Sequence, residues 1–198
     1  MAGEHLSQVV VKSREELRDW LESHQRQTDA AWLVTHKKHR VEFHLPYSDV
    51  VDELLCFGWV DSLPRKLDQD RTMLMIAPRK PKSNWSKINK DKVNRLTAEG
   101  RMQPAGLAAV DRAKAGGQWD ALTAVEALAV PEDLSLALAR HPDAARHFNA
   151  FPKSAKRGIL EWIGTAKTAQ TRSKRLEETA RLAQGNIRAN QWRQPKSN

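Results

Sequence analysis

"WVDSLPRKLDQDRTMLMIAP", residues 59–78, consists of two extended runs about a polar middle. "WVDSLPRKLD" and "RTMLMIAP" read as strands, with Asp68 and Asp70 in the turn between them, which predicts an antiparallel hairpin. Upstream, "SQVVVKS" and "AAWLVTHKK" read as two further strands, each followed by a helix. The first helix, "SREELRDWLESHQ", has Ser13 as its cap and Glu16 three residues later, and sets Leu17, Trp20 and Leu21 on one face. The second, "PYSDVVDELLCFGW", opens at Pro46, carries the stripe Val50, Val51, Leu54 and Leu55, and closes at Gly58. This order predicts an α+β fold: a small, mainly antiparallel sheet packed with helices, followed by an all-helical C-terminal segment.

From Trp85 onward the pattern is helical. "SKINKDKVNRLTAEG" predicts a helix with Trp85, Ile88 and Leu96 on its buried face and Gly100 at its end, and "PAGLAAVDRAKAGG" starts in proline and ends in glycine. The stretch "QWDALTAVEALAVPED" is the expected joint between parts. Beyond it, Pro131, Pro142, Ser154 and Thr171 mark the starts of short helices. Helices this short are marginal alone, so Ile159, Trp162, Ile163, Leu176, Ala180 and Ala183 are expected to pack together. The expected organisation is an α+β domain over 1–120, a helical subdomain over 121–185 and a mobile basic tail over 186–198.

A chain of 198 residues, 40% hydrophobic and 29% charged, suits a soluble protein with a real core. No run approaches the roughly 20 apolar residues of a membrane helix, and "MAGEHLSQVVVKSREE" lacks the pattern of an export signal, so the expected location is the cytoplasm. Cys56 is the only cysteine; it cannot form an internal disulfide, and in "ELLCFGW" it reads as a packed apolar residue. The net charge of +9 is local. Residues 79–95 carry seven basic side chains against one acid and residues 153–198 eleven against three, while the rest of the chain is slightly acidic. Two basic blocks on such a chain point to anionic partners.

"LLCFGWVDS", "PRKPKSNWSKINKDKVNRLTAEGRMQPAGLAAVDRAKAGGQWD" and "SAKRGILEWIGTAKTAQTRSKRLEETARLAQG" resemble the signature blocks of the YdeI/OmpD-associated family, also called bacteriocin-protection proteins. The resemblance runs from about Val10 to Gly185. It implies bacterial stress resistance, protection against bacteriocins or cationic antimicrobial peptides, and association with an outer-membrane porin; it implies no catalytic reaction. The chain departs from the pattern where Ser62 and Leu63 replace a glycine and a second polar residue. It departs again at Gln103, which replaces a Ser or Thr before Pro104 and weakens a helix cap by ~1 kcal/mol. Without an export signal, the porin partner is not carried over to this chain.

The segment "PRKPKSNWSKINK", residues 78–90, holds five cations and no acid. Pro78 and Pro81 stiffen it, and Ser83, Asn84 and Ser86 are each competent to cap the helix that follows. Free amides at that helix start, with Arg79, Lys80, Lys82 and Lys87 around them, are the ingredients of an anion site. Trp85 can stack on a flat ligand whose edge Asn89 holds, or it can be core beneath solvated lysines. Trp59 and Asp61, two apart on a strand, share a side; Asp61 can pair with Arg79 or Lys82, either to organise a pocket or as a structural salt bridge. The candidate site is therefore Trp59, Asp61, Arg79, Lys82, Asn84, Trp85, Ser86, Lys87 and Asn89.

A second basic patch comprises Lys156, Arg157, Arg172 and Arg175. Arg172 and Arg175 fall in the first turns of a helix, where the dipole disfavours cations, so either an anion or Glu161, Glu177 or Glu178 offsets them. His36, His39 and His44 have no matching cluster of carboxylates or cysteines, and no metal or cofactor is expected. No acid–base pair, activated nucleophile or glycine-rich phosphate loop is visible as a motif.

Three functions fit these features, two of them more directly. One is a non-enzymatic binding protein whose basic surface takes an anionic ligand, nucleic acid among the candidates. The other is an enzyme or small-molecule receptor for an anionic metabolite, held in a pocket between the sheet and the helix over 85–100. A protein adaptor, which would expose an apolar patch on the C-terminal helices, is a third.

Overall fold

A computed structural model describes residues 5–191. The chain divides between Ala121 and Leu122 into two compact units.

The first unit holds a four-stranded sheet in the order β1-β2-β4-β3, formed by β1 (Gln8–Val10), β2 (Ala31–His36), β3 (Trp59–Lys66) and β4 (Arg71–Pro78). β1 runs parallel to β2, and the other two pairings are antiparallel. The β3–β4 hairpin forms where the sequence predicts it. Its turn is tied by the Asp68 carboxylate, which accepts from the amides of Asp70 and Arg71 at 2.9 and 2.7 Å. Register in β3 is regular from Trp59 to Asp61 and resumes at Pro64, with a bulge between. The bulge holds Ser62 and Leu63, the two positions that depart from the family pattern, and Ser62 Oγ donates to the Met75 carbonyl at 3.3 Å.

The helices of this unit are α1 (Arg14–Ser23), α2 (Tyr47–Cys56), α3 (Lys87–Ala98) and α4 (Pro104–Ala115). Ser13 caps α1 by accepting from the Glu16 amide at 3.2 Å, while the Glu16 side chain accepts from the Lys12 amide at 2.8 Å. The two side chains close the helix start reciprocally, one residue wider than the motif predicts. The core gathers Leu17 and Leu21 from α1, Leu54 and Leu55 from α2, Leu33, Trp59 and Ile76 from the sheet, and Val93 and Leu96 from α3. Trp85 belongs to the same core, but it precedes α3. Ile88, expected on the buried face, is 66% exposed; Val93 fills that role. Gln103 precedes α4 without a side-chain cap bond, in keeping with the lost Ser or Thr.

The second unit is helical: α5 (Thr123–Glu126), α6 (Glu132–Ala139), α7 (Ala144–Ala150), α8 (Lys153–Gly164) and α9 (Ala169–Gln184). Its core contains Leu134, Phe148, Ile159, Ile163, Ala180 and Ala183, with Trp162 and Leu176 partly buried against it. α8 starts one residue before Ser154. α9 starts before Thr171 because Thr168 is the cap, its hydroxyl accepting from the Thr171 amide at 3.1 Å. Part of the expected mobile tail packs: Ala189 is buried in this core, and the Arg188 guanidinium lies 5.8 Å from the Phe151 ring centre. Residues 192–198 of that tail lie outside the described residues. Among the described residues, no helix is long and apolar enough to cross a membrane.

Gly106 lets α4 meet the end of α2 at close range, since a Cβ there would stand 2.2 Å from the Cys56 carbonyl oxygen. Backbone cannot yield as a flexible side chain does. Gly106→Ala is expected to lose about 2–3 kcal/mol in urea unfolding. Gly164→Ala, with nothing within 4 Å of its Cβ, is expected to be neutral or slightly stabilising.

Candidate functional site

The cationic segment after β4 turns its key groups inward. The Arg79 amide donates to the Gly58 carbonyl at 2.9 Å, which closes the sheet end, and the side chain runs into the interior at 8% exposure. Its guanidinium lies 3.9 Å from the Trp85 ring centre, and Nη1 donates to the Asn84 carbonyl at 3.1 Å. Trp85 is 1% exposed, with Trp119 packed 5.1 Å away and its amide donating to the Gln118 carbonyl at 3.2 Å. Trp85 thus packs against Arg79 on one side and the tilted ring of Trp119 on another, both of its own chain, and has no face for a flat ligand. Trp59 is buried too, edge-on to Trp20 at 5.5 Å. Burial pushes the Arg79 guanidinium down to about 10, against the pull of Asp61, and leaves its Nε without a hydrogen-bond partner.

The remaining residues of this segment serve the helix start. Ser86 caps α3 by accepting from the Asn89 amide at 3.3 Å, and Lys87 pairs in solvent with Asp91 at 2.6 Å. Lys82 and Asn84 are exposed. The second patch is likewise engaged. Arg172 forms a two-pronged bond to Asp133 at 2.6 and 3.0 Å, Arg175 donates to the Trp162 carbonyl, and Lys156 donates to the Asn149 carbonyl at 3.0 Å. Asp133 on α6, not Glu161, Glu177 or Glu178, offsets Arg172, while Arg175 rests on neutral acceptors. A partner so far away in sequence leaves no i,i+4 signal. Arg157 lines a shallow hollow with Lys153 and Glu126.

Asp61 pairs with neither Arg79 nor Lys82. It accepts from Tyr47 Oη at 2.6 Å, which joins the first turn of α2 to β3. Partial burial and this bond push the Tyr47 hydroxyl up to about 12. The pair stands at the rim of a cavity of about 340 Å³ between the sheet and the start of α2. Leu33, Leu45, Val50, Met73 and Leu74 give it apolar walls, with Thr35 and Thr72 between them; Ser62 and Pro64 join the rim, and His36, Lys37, Lys38 and His44 line it as well. His44 Nδ1 lies 3.0 Å from the His36 carbonyl oxygen, so that nitrogen carries the proton and Nε2 is left as the acceptor of the neutral ring. Among the described residues no three potential metal ligands gather. Of the sequence candidates only Asp61 lines this cavity, which lies against α2 and not against the helix over 85–100. Of the missed residues, Lys37, Lys38 and His44 sit on a loop and Tyr47 in the first turn of a helix, where no periodic pattern marks them; most of the others lie on β2, β3 and β4, where a strand pattern does not distinguish a cavity wall from core.

Sequence reasoning also missed Glu53. Its side chain is wholly buried and accepts from Arg14 Nε at 2.6 Å, from Arg18 Nη1 at 2.8 Å and from Arg101 Nη2. Asp52, the next residue, is held by Lys92 at 2.6 Å and Arg95 at 2.5 Å. Burial works to raise the Asp52 carboxyl, but the two cations outweigh it and keep it below the ordinary range. The available signal was Glu53 falling three residues after Val50 on the buried stripe of α2, with Arg14 and Arg18 one turn apart on α1.

Fold and site define an α+β unit with a cavity of ligand size, followed by a helical unit. Residues 9–109 match the family described as Domain of unknown function (DUF8412), and residues 127–185 match the one described as Bacteriocin-protection, YdeI or OmpD-Associated. The first match covers just over half of the chain, which therefore belongs to that family, and its helical unit carries the YdeI/OmpD-associated domain. The third resembling block lies within the C-terminal match, whereas the first and most of the second lie within the N-terminal one. No curated protein and no solved structure matches the chain.

Glu53→Gln keeps the shape of the side chain and removes the charge that three arginines share. It is expected to lose about 3–5 kcal/mol in chemical unfolding. Tyr47 is the only tyrosine, so tyrosinate absorbance reads it alone. Its midpoint is expected near 12 in the folded protein and near the ordinary 10 in the unfolded chain, with Asp61→Asn lying between the two. Because the folded value is the higher, this contribution to stability is full below about 10 and is lost as pH rises towards 12.

Proposed function

We propose that the α+β unit is a small-molecule receptor whose ligand sits in the cavity between the sheet and the start of α2. The cavity itself is the observation that carries this: about 340 Å³, walled by apolar side chains, with a few polar groups at its edge. Ligand sites have this make-up, an apolar bed that supplies affinity and sparse hydrogen-bonding groups that orient the guest. The Tyr47 hydroxyl is already committed to the Asp61 carboxylate, which suits binding better than proton transfer. A cytoplasmic receptor of this kind would serve the bacteriocin protection that the description of the C-terminal match names, by sensing or sequestering a noxious small molecule.

A basic surface that takes nucleic acid or another polyanion has one supporting observation. Lys80 and Lys82 are exposed, and neither has a carboxylate partner among the described residues. With Trp85 buried, that surface offers charge without stacking, so any affinity would be strongly salt-dependent.

One melting-temperature screen separates the two, using a panel of small apolar acids, alcohols and nucleotides and an oligonucleotide at low and high salt. A cavity ligand at a hundredfold excess over its Kd is expected to add about 2.7 kcal/mol of stability. Ser62→Trp, a change at an exposed rim position, is expected to abolish that gain without unfolding the protein. A stabilising response confined to the oligonucleotide, lost at high salt and indifferent to Ser62→Trp, would overturn the receptor in favour of the basic surface.

A further inference from the structure

The cavity is electrically lopsided. Strand register places Asp61 opposite Ile76 and His36 opposite Arg71, so Asp61 lies about five strand residues, roughly 17 Å, from the far end where β2 gives way to Lys37 and Lys38. At that end the Lys37 ammonium is held by two neutral acceptors, the carbonyls of Asp68 at 2.5 Å and Gln69 at 3.0 Å. Neither cancels its charge. Lys38 is exposed and has no partner among the described residues.

The two acids of the β3–β4 turn at this end are already matched. Asp68 is bound to Arg71 at 2.7 Å, and Asp70 is bound to His39 at 2.8 Å and to Arg40 at 3.3 Å. Four permanent cations, Lys37, Lys38, Arg40 and Arg71, therefore stand with three carboxylates, Asp68, Asp70 and the exposed Glu42 of the turn that follows, and one positive charge in excess borders the apolar bed. At the other end the only charge lining the cavity is the carboxylate of Asp61.

We infer that the ligand of this cavity is an amphipathic monoanion, with its acid group at the Lys38 end and its apolar body along Leu33, Val50 and Leu74 towards the Tyr47–Asp61 pair. This rests on the receptor proposed above and adds the class and orientation of its guest. An acid at Lys38 meets uncompensated positive charge beside a low-dielectric wall, where such an interaction is stronger than in open water. A second acid at the opposite end would meet Asp61, so dicarboxylates are disfavoured. An amine is repelled at the cationic end and can enter only reversed, with its head towards Asp61.

Isothermal titration with octanoate, octanol and octylamine, three probes sharing one chain and differing in the head group, tests this. Octanoate is expected to bind about tenfold more tightly than octanol, while octylamine is expected to bind more weakly than octanoate and to gain affinity in Lys38→Glu. Lys38→Glu, at an exposed position, is expected to remove the advantage of octanoate and leave octanol unchanged, and Ser62→Trp is expected to block both. Equal affinity for octanoate and octanol, or octanoate binding untouched by Lys38→Glu, overturns the head-group assignment while octanol binding blocked by Ser62→Trp keeps the receptor. Failure of all three probes overturns the assignment as well, and the receptor itself falls only if the broader panel also yields nothing.

Discussion

One carboxylate shut away from water organises the first unit. Glu53 would be intolerable in the interior alone, since a bare buried charge costs several kcal/mol; three guanidinium groups and their hydrogen bonds make it tenable. Those arginines come from two places, Arg14 and Arg18 on α1 and Arg101 in the loop between α3 and α4, so satisfying one side chain fixes α1, α2 and that loop together. Arg18 reinforces the arrangement by donating to the Arg101 carbonyl at 3.2 Å. Asp52, bound to Lys92 and Arg95, ties α2 to α3 in the same way. An apolar residue at position 53 could fill the volume, but it would not dictate which three segments must meet.

The cavity follows from that anchoring. With the later turns of α2 held by ion pairs and by Leu54 and Leu55 in the core, its first turn projects over the sheet. There Tyr47 reaches Asp61 and encloses space that Val50 and Leu45 only partly fill. The cationic segment plays a different part from the one its composition suggests. Arg79 and Trp85 form a stacked pair beneath the surface, so the motif with the strongest charge supplies a support for the core. A guanidinium is tolerated there because its flat face is weakly hydrated and can lie on an indole.

Much of the architecture was legible from residue patterns. The hairpin over 59–78, the stripe of α2 and the cap at Ser13 rest on local rules, and local rules see only neighbours in sequence. The candidate site was legible only in part. Asp61 was read as a partner for Arg79 or Lys82, in a pocket or a structural salt bridge, and instead bonds Tyr47; Tyr47, Lys38 and His44 come from a loop and a helix start that carry no period. Trp85 illustrates the opposite error: tryptophan among lysines is read equally well as a stacking platform or as core, and only three-dimensional burial distinguishes them. Arg172 likewise found Asp133, thirty-nine positions away, where helical spacing could not have pointed.

β3 lies at the margin of the sheet, and a marginal strand offers unpaired amides and carbonyls to any passing extended chain. Here the extra residue at Ser62–Leu63 breaks the spacing of those groups, and Pro64 removes a donor midway along. A stray strand cannot dock along its full length. The same irregularity that shapes the mouth of the cavity thus discourages the protein from growing into fibres through its own sheet.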